Sequence, residues 1–193
     1  MKRVVITGLG AITPIGNNLE EYNEGLKKGQ SGAGPITRFD ASNFKTKFAC
    51  EVKNFNPEDF IDRKEVRRMD LFTQFAMVCS DEALADSKLL ESTLDLDRIG
   101  VIWGSGIGGL RSLEAEIETF ATGNGIPRFN PFMIPKMISD IAPGYISIKH
   151  GFRGINYCTV SACASATHAM MNAFDYIRLG KADAIITGGS EAA

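Results

Sequence analysis

The chain has 193 residues, 44% of them hydrophobic and 23% charged, with a formal net charge of -2. That length and balance suit one domain with a sizeable core, and they give no global pull toward nucleic acid or an anionic membrane. No apolar run reaches the length of a membrane span, so neither partner is expected. Met1-Lys2-Arg3 is followed by only a short apolar segment and then by glycines, which reads as a first strand and not as a signal peptide. The four cysteines, Cys50, Cys79, Cys158 and Cys163, show no metal-ligand spacing, and there are two histidines. No metal or cofactor is therefore expected, and reduced thiols in a cytoplasmic setting are.

Along the chain, residues 3–7 read as a buried strand ending in Gly8-Leu9-Gly10. Asn17 or Asn18 suits a helix cap, with the helix closed by Gly29. Residues 31–56, rich in Gly, Ser, Asn and isolated Phe, predict irregular loop with short strands. Pro57 opens a short helix. Asp70 caps a longer one, in which Phe72, Phe75, Ala76, Cys79 and Ala83 share an apolar face. Residues 99–103 form a second buried strand before the glycine-rich run 104–109. Residues 110–122 read as a helix and 123–135 as a loop with three prolines. Residues 136–149 read as a helix that Pro143-Gly144 kinks or breaks. Residues 155–160 make a third strand, a helix follows to about Leu179, and 184–187 make a fourth strand. Strands alternating with helices predict an α/β fold with a largely parallel sheet. The sequence stops at Glu191-Ala192-Ala193, directly after a buried strand, which is the expected look of a fragment.

The most informative run is Thr159-Val160-Ser161-Ala162-Cys163-Ala164-Ser165-Ala166. It has the layout of a strand, a tight turn and a helix start, with a thiol at the turn. A cysteine there faces unpaired N–H groups and the positive end of the helix dipole, which favour the nucleophilic thiolate. A small buried core cysteine is the alternative and the more common fate. His168, five residues on, lies well round the helix axis and is placed as a buried structural histidine, not as a base. His150, in a Lys-His-Gly turn, is placed at the surface.

Two glycine motifs follow strands. Gly8-Leu9-Gly10-Ala11-Ile12-Thr13 lacks the third glycine of a dinucleotide loop and reads better as a closely packed strand-end turn needing positive φ. Residues 104–109 are no P-loop, because no Lys-Ser/Thr pair closes them. They are a packing turn or one wall of a ligand channel with Ile107 as its bulky element. Lys64, Arg67 and Arg68 share a helix face, either solvated and partly paired with Asp62 and Glu65, or a docking patch for an acidic partner that Arg128 joins.

These residues together match a family. Val5-Ile6-Thr7-Gly8-Leu9-Gly10, Gln30-Ser31-Gly32, Arg38-Phe39-Asp40, Arg67-Arg68-Met69-Asp70, residues 104–110, Pro131-Phe132, Ser161-Ala162-Cys163-Ala164-Ser165 and Gly188-Gly189-Ser190-Glu191 occur in that order. The chain resembles the elongating β-ketoacyl-acyl carrier protein synthases, of the type II kind more than type I, over essentially its whole length. The resemblance implies the N-terminal half of a thiolase-like fold, a mixed and mainly parallel sheet packed with helices, incomplete at its C-terminus. It implies a decarboxylative Claisen condensation in fatty acid biosynthesis, with Cys163 carrying the acyl thioester. Ile107, Met133 and Ile138 then match acyl-pocket positions. Lys64, Arg67, Arg68 and Arg128 match the patch that docks acyl carrier protein, and the strand ending near Cys158 matches one that pairs across a homodimer axis. The family's catalytic histidines and lysine lie in the second half, so residues 1–193 alone are expected to be inactive in condensation. A non-catalytic docking or acyl-binding module and a cysteine hydrolase are the competing readings.

Overall fold

The computed structural model describes residues 1–123, 126 and 128–192. Residues 124, 125 and 127 of the predicted loop, and the final Ala193, lie outside the described residues. Strand β3 (Ile99–Gly104) is the centre of the molecule, buried at every position. Strands β4 (Asn156–Thr159) and β5 (Ala184–Gly189) pair with it in parallel on either side, giving the order β4-β3-β5. Because side chains alternate across a strand, Ile99, Val101 and Trp103 serve one face and Gly100, Ile102 and Gly104 the other. The first face packs against helices α3 (Leu71–Ser87) and α6 (Ile141–His150) through Phe72, Phe75, Val78, Ala142 and Ile146. On the second face Ile102 meets Ala169 and Ala173 of α7 (Ser165–Arg178). Opposite faces follow from the topology. The chain steps one way from β3 to β4 and the other way from β4 to β5, so two crossovers of the same hand place their helices on opposite sides.

Smaller elements complete the chain. Helix α1 (Leu19–Lys27) is capped by Asn18, whose side chain accepts the Glu21 N–H. The short antiparallel pair β1 (Gly34–Pro35) and β2 (Phe48–Ala49) lies in the predicted loop region. Helix α2 (Arg63–Val66) precedes α3, and α4 (Leu110–Thr122) and α5 (Met133–Met137) precede α6. Asp70 caps α3 by accepting the Phe72 N–H, and its other oxygen accepts the Ser112 hydroxyl of α4 at 2.5 Å. Gln74 donates to the carbonyls of Val66 and Met69, so the end of α2 is tied to α3.

Three expectations are corrected. Residues 3–7 join no ladder among the described residues, and Val5 and Ile6 are 57% and 82% exposed. The residues that follow it lie along α3, where Asp86 accepts the Leu9 N–H and Glu82 accepts the Ala11 N–H. A Cβ on Gly8 would lie 2.2 Å from the Ala83 carbonyl oxygen, so close packing explains this glycine without positive φ. The predicted helix over 136–149 is two helices. Pro135 and Pro143 each fall in a first turn, where a missing N–H removes no helical bond. Helix α3 is buried round most of its circumference from Phe72 to Val78, not along one stripe, because α6 and the sheet enclose it.

Candidate active site

The carboxyl ends of the three parallel strands stand in register, with Gly104 opposite both Thr159 and Gly189. Cys163 sits just beyond this edge, exposed, in a 3-10 turn (Ala162–Ala164) that leads into α7. The turn is strained. Ala162 has φ 50°, a left-handed conformation that costs a residue with a Cβ about 1–2 kcal/mol. Its neighbours hold it there. The Thr159 hydroxyl donates to the Ser165 carbonyl at 2.8 Å, and the Ser161 N–H donates to Ser165 Oγ at 2.9 Å. The Ser165 hydroxyl donates to the Ala162 carbonyl at 2.7 Å, and Ser165 is only 3% exposed.

Two glycines let α7 come this close. A Cβ on Gly104 would lie 2.4 Å from the Ser165 carbonyl carbon, and one on Gly189 would lie 2.6 Å from the Ala166 Cβ. The first turn of α7 therefore rests directly on the strand ends and lifts the thiol to the surface. This is the strand, strained turn and helix of a nucleophile elbow, and it is incompatible with the buried-cysteine alternative.

The other thiols are placed differently. Burial pushes the Cys79 thiol up to about 12. Burial also raises Cys158, against the lowering effect of the Ser105 N–H. Cys50 is exposed, away from any strand end of the main sheet.

Both histidines differ from expectation. His168 is exposed, with Nδ1 2.7 Å from the Ser161 hydroxyl, because the turn before α7 folds Ser161 back over the helix. The His150 side chain is only 10% exposed and its Nε2 lies 2.9 Å from Asp81 Oδ1, since α6 packs on α3. Neither has Cys163 as a hydrogen-bond partner, so no base for the thiol is found among the described residues.

An open apolar groove of about 480 Å³ lies beside the elbow, lined by Ile107, Leu110, Met137, Ile138, Cys158 and Val160 among others. It brings the predicted Ile107 and Ile138 together and begins at Val160, three residues before Cys163. Met133 is half-buried at the start of α5 and does not line the groove; Met137, one turn later, does. Lys64, Arg67, Arg68 and Arg128 are all exposed. Arg68 pairs with Glu65 at 2.8 Å and lies over the Phe132 ring at 5.0 Å, which links the basic turn to the segment carrying Arg128. The strain at Ala162 and the brace from Ser165 had no sequence signal, since left-handed turns are ordinarily marked by glycine or asparagine.

The site is therefore an exposed cysteine on a strained turn at the carboxyl ends of a parallel sheet. Residues 1–193 match the family described as Beta-ketoacyl synthase, N-terminal domain, and the chain belongs to that family. It is 51% identical over 192 residues to the 3-oxoacyl-[acyl-carrier-protein] synthase 2 of Synechocystis sp., covering 100% of this chain and 46% of that protein. It is 47% identical over 191 residues to the Staphylococcus aureus protein of the same name, covering 99% of this chain and 46% of that one. The chain thus spans about half the length of the curated relatives it matches. The ishigamide ketosynthase/chain length factor aligns with a TM-score of 0.88 at 30% identity, over 98% of this chain and 47% of the other. A type II PKS acyl-carrier protein in complex with its ketosynthase bound to the hexaketide aligns with a TM-score of 0.81 at 23% identity, over 100% of this chain and 51% of the other, which supports the fold.

Proposed function

We propose that this chain is the nucleophile-bearing half of a 3-oxoacyl-acyl carrier protein synthase of fatty acid biosynthesis, comprising one N-terminal domain over residues 1–193. The observation that carries the reading is the exposed Cys163 on its strained elbow beside an apolar groove. The Cys163 thiolate attacks the thioester carbonyl of an acyl group on acyl carrier protein, and the carrier's own thiol leaves. The backbone N–H of Cys163, free in the first turn, donates to the oxyanion as the tetrahedral intermediate forms. The groove of Ile107 and Ile138 receives the alkyl chain, with Met133 one turn before the groove residue Met137 on α5. Malonyl-acyl carrier protein then loses carbon dioxide, and the resulting carbanion attacks the Cys163 thioester and expels the thiolate. The second half of the family's fold supplies the groups for that decarboxylation, so residues 1–193 alone take the acyl group and do not condense.

The carrier docks on Lys64, Arg67, Arg68 and Arg128, whose exposure supports recognition of an acidic surface. Among the described residues, strand β4 has β3 on one side and no strand on the other, which supports pairing with a second copy into a homodimer. Among the described residues no helix is long and apolar enough to cross a membrane, and we place the protein in the cytoplasm.

The test is incubation with acyl-acyl carrier protein, followed by peptide mass mapping. A thioester on Cys163 that disappears in Cys163→Ala is the expected result. Carrier binding without any adduct favours a docking module instead, and an adduct on another residue overturns the assignment.

A further inference from the structure

Two residues beyond β5, Glu191 turns its carboxylate back onto the glycine-rich loop. Its Oε2 accepts the N–H of Gly106 at 2.8 Å and the N–H of Ile107 at 3.1 Å. The backbone it springs from is itself fixed. The Ser190 N–H donates to the Gly104 carbonyl at 3.1 Å, and Trp103 Nε1–H donates to Ser190 Oγ at 2.9 Å. Loop, carboxylate and elbow are packed together. A Cβ on Gly106 would lie 3.1 Å from Glu191 Oε2 and 3.4 Å from the Ala162 Cα.

The next N–H groups are also claimed. Gly108 donates to Ser105 Oγ at 3.1 Å, and Gly109 donates to the Met137 carbonyl at 3.0 Å. Four successive amides are therefore pinned, two of them by one ionised oxygen. Hydrogen bonds to a charged acceptor are roughly twice as strong as neutral ones. Ile107, held by the carboxylate, is the residue that this loop contributes to the groove wall before Leu110.

We propose that Glu191 is a positioning residue. Its carboxylate sets how far Ile107 stands into the groove, and so fixes which acyl chain lengths Cys163 accepts. This rests on the functional reading above. It also assigns the Glu191 charge a task besides its effect on Cys158, whose thiol is raised by burial, then by Asp140 and Glu191.

The experiment compares the protein with its Glu191→Ala, Glu191→Asp and Glu191→Gln variants in two readouts. The first is amide hydrogen exchange at Gly106 and Ile107. The second is the rate of acyl transfer to Cys163 from thioesters of increasing chain length. In Glu191→Ala the two amides exchange faster by about tenfold or more, and the long-to-short chain ratio changes by about tenfold, the scale of one charge-assisted hydrogen bond. Glu191→Asp, which keeps the charge but withdraws it by one methylene, shows the same shift. Glu191→Gln retains an acceptor oxygen in place but loses the charge, and shows a smaller shift in the same direction. An unchanged chain-length profile in Glu191→Ala and Glu191→Asp overturns the proposal, whether or not exchange accelerates. If the wild-type protein takes no acyl group on Cys163, the functional reading falls, and the exchange comparison alone upholds or overturns the clamp.

Discussion

At the scale of single residues, the environment of each thiol separates the cysteines. Cys163 and Cys50 are exposed, whereas burial pushes Cys79 up to about 12 and also raises Cys158. A thiol with so high a value holds almost no thiolate at neutral pH, and only the thiolate alkylates. Iodoacetamide at pH 7.5 should therefore modify Cys163 and Cys50 within the native protein and leave Cys79 untouched until the chain is unfolded. Peptide mapping after a short pulse checks this, and early modification of Cys79 would contradict the packing of α3. The elbow shows how a local cost is carried. Ala162 is strained, and three side-chain bonds from Thr159 and Ser165 hold it, each net worth about 1 kcal/mol. The sequence disclosed the cysteine and its small neighbours. It did not disclose the strain, which exists because β3 and β5 fix the strand ends below α7.

At the scale of elements, α3 packs most extensively on α6. Asp81 on α3 binds Lys149 Nζ at 2.5 Å and His150 Nε2 at 2.9 Å, both at the end of α6. Burial pushes the Asp81 carboxyl up, but the bonds from His150 and Lys149 outweigh it and hold it below the ordinary range. A carboxyl whose folded value lies below its unfolded value of about 3.9 binds fewer protons in the native state. Its stabilisation is present in full above the unfolded value and drains as pH falls through the folded one. Asp81→Asn should lower stability by about 1 kcal/mol at pH 7, given the partial exposure of the pair. The difference from wild type should shrink toward zero on acidification below the carboxyl range. Thermal melts of both proteins from pH 7 downward test this, and a gap that widens in acid would overturn it. Sequence periodicity found α3 and placed its cap at Asp70, but it described one apolar face. Periodicity reports only which side is greasy; burial of Thr73, Gln74 and Ser80 arises from neighbours far away in sequence.

At the scale of the whole molecule, the outer face of α7 presents Met170, Met171 and Phe174 at 49%, 59% and 43% exposure. Contiguous apolar surface of this kind drives association. A polypeptide of these 193 residues on its own should self-associate at micromolar concentration. Replacing Met171 and Phe174 with lysine should return it toward a monomer. Sedimentation velocity distinguishes the two, and a monomeric wild-type polypeptide would contradict the prediction. The ion pair of Arg98 with Asp183 works at the same scale. Arg98 and then Lys2 hold the Asp183 carboxyl well below the usual range, joining the start of β3 to the start of β5 and to residue 2.

The sequence by itself determined the alternation of strands and helices beyond its first segment, a helix cap at Asn17 or Asn18, the cap at Asp70, and the cysteine at a strand-to-helix turn. Each is written in contiguous residues through propensity, capping chemistry or spacing, and needs no distant partner to be read. Likeness to a family led it to expect Ile107 and Ile138 at acyl-pocket positions, and both line one groove. Only the tertiary structure decided that residues 3–7 join no ladder, that Leu9 and Ala11 are held by α3, and that His150 is tied to Asp81. The same holds for the groove taking Met137 from α5 and for Glu191 pinning the loop that carries Ile107. These depend on which elements distant in the chain meet one another. Such meetings are set by shape and by the need to satisfy buried polar groups, which no local pattern encodes.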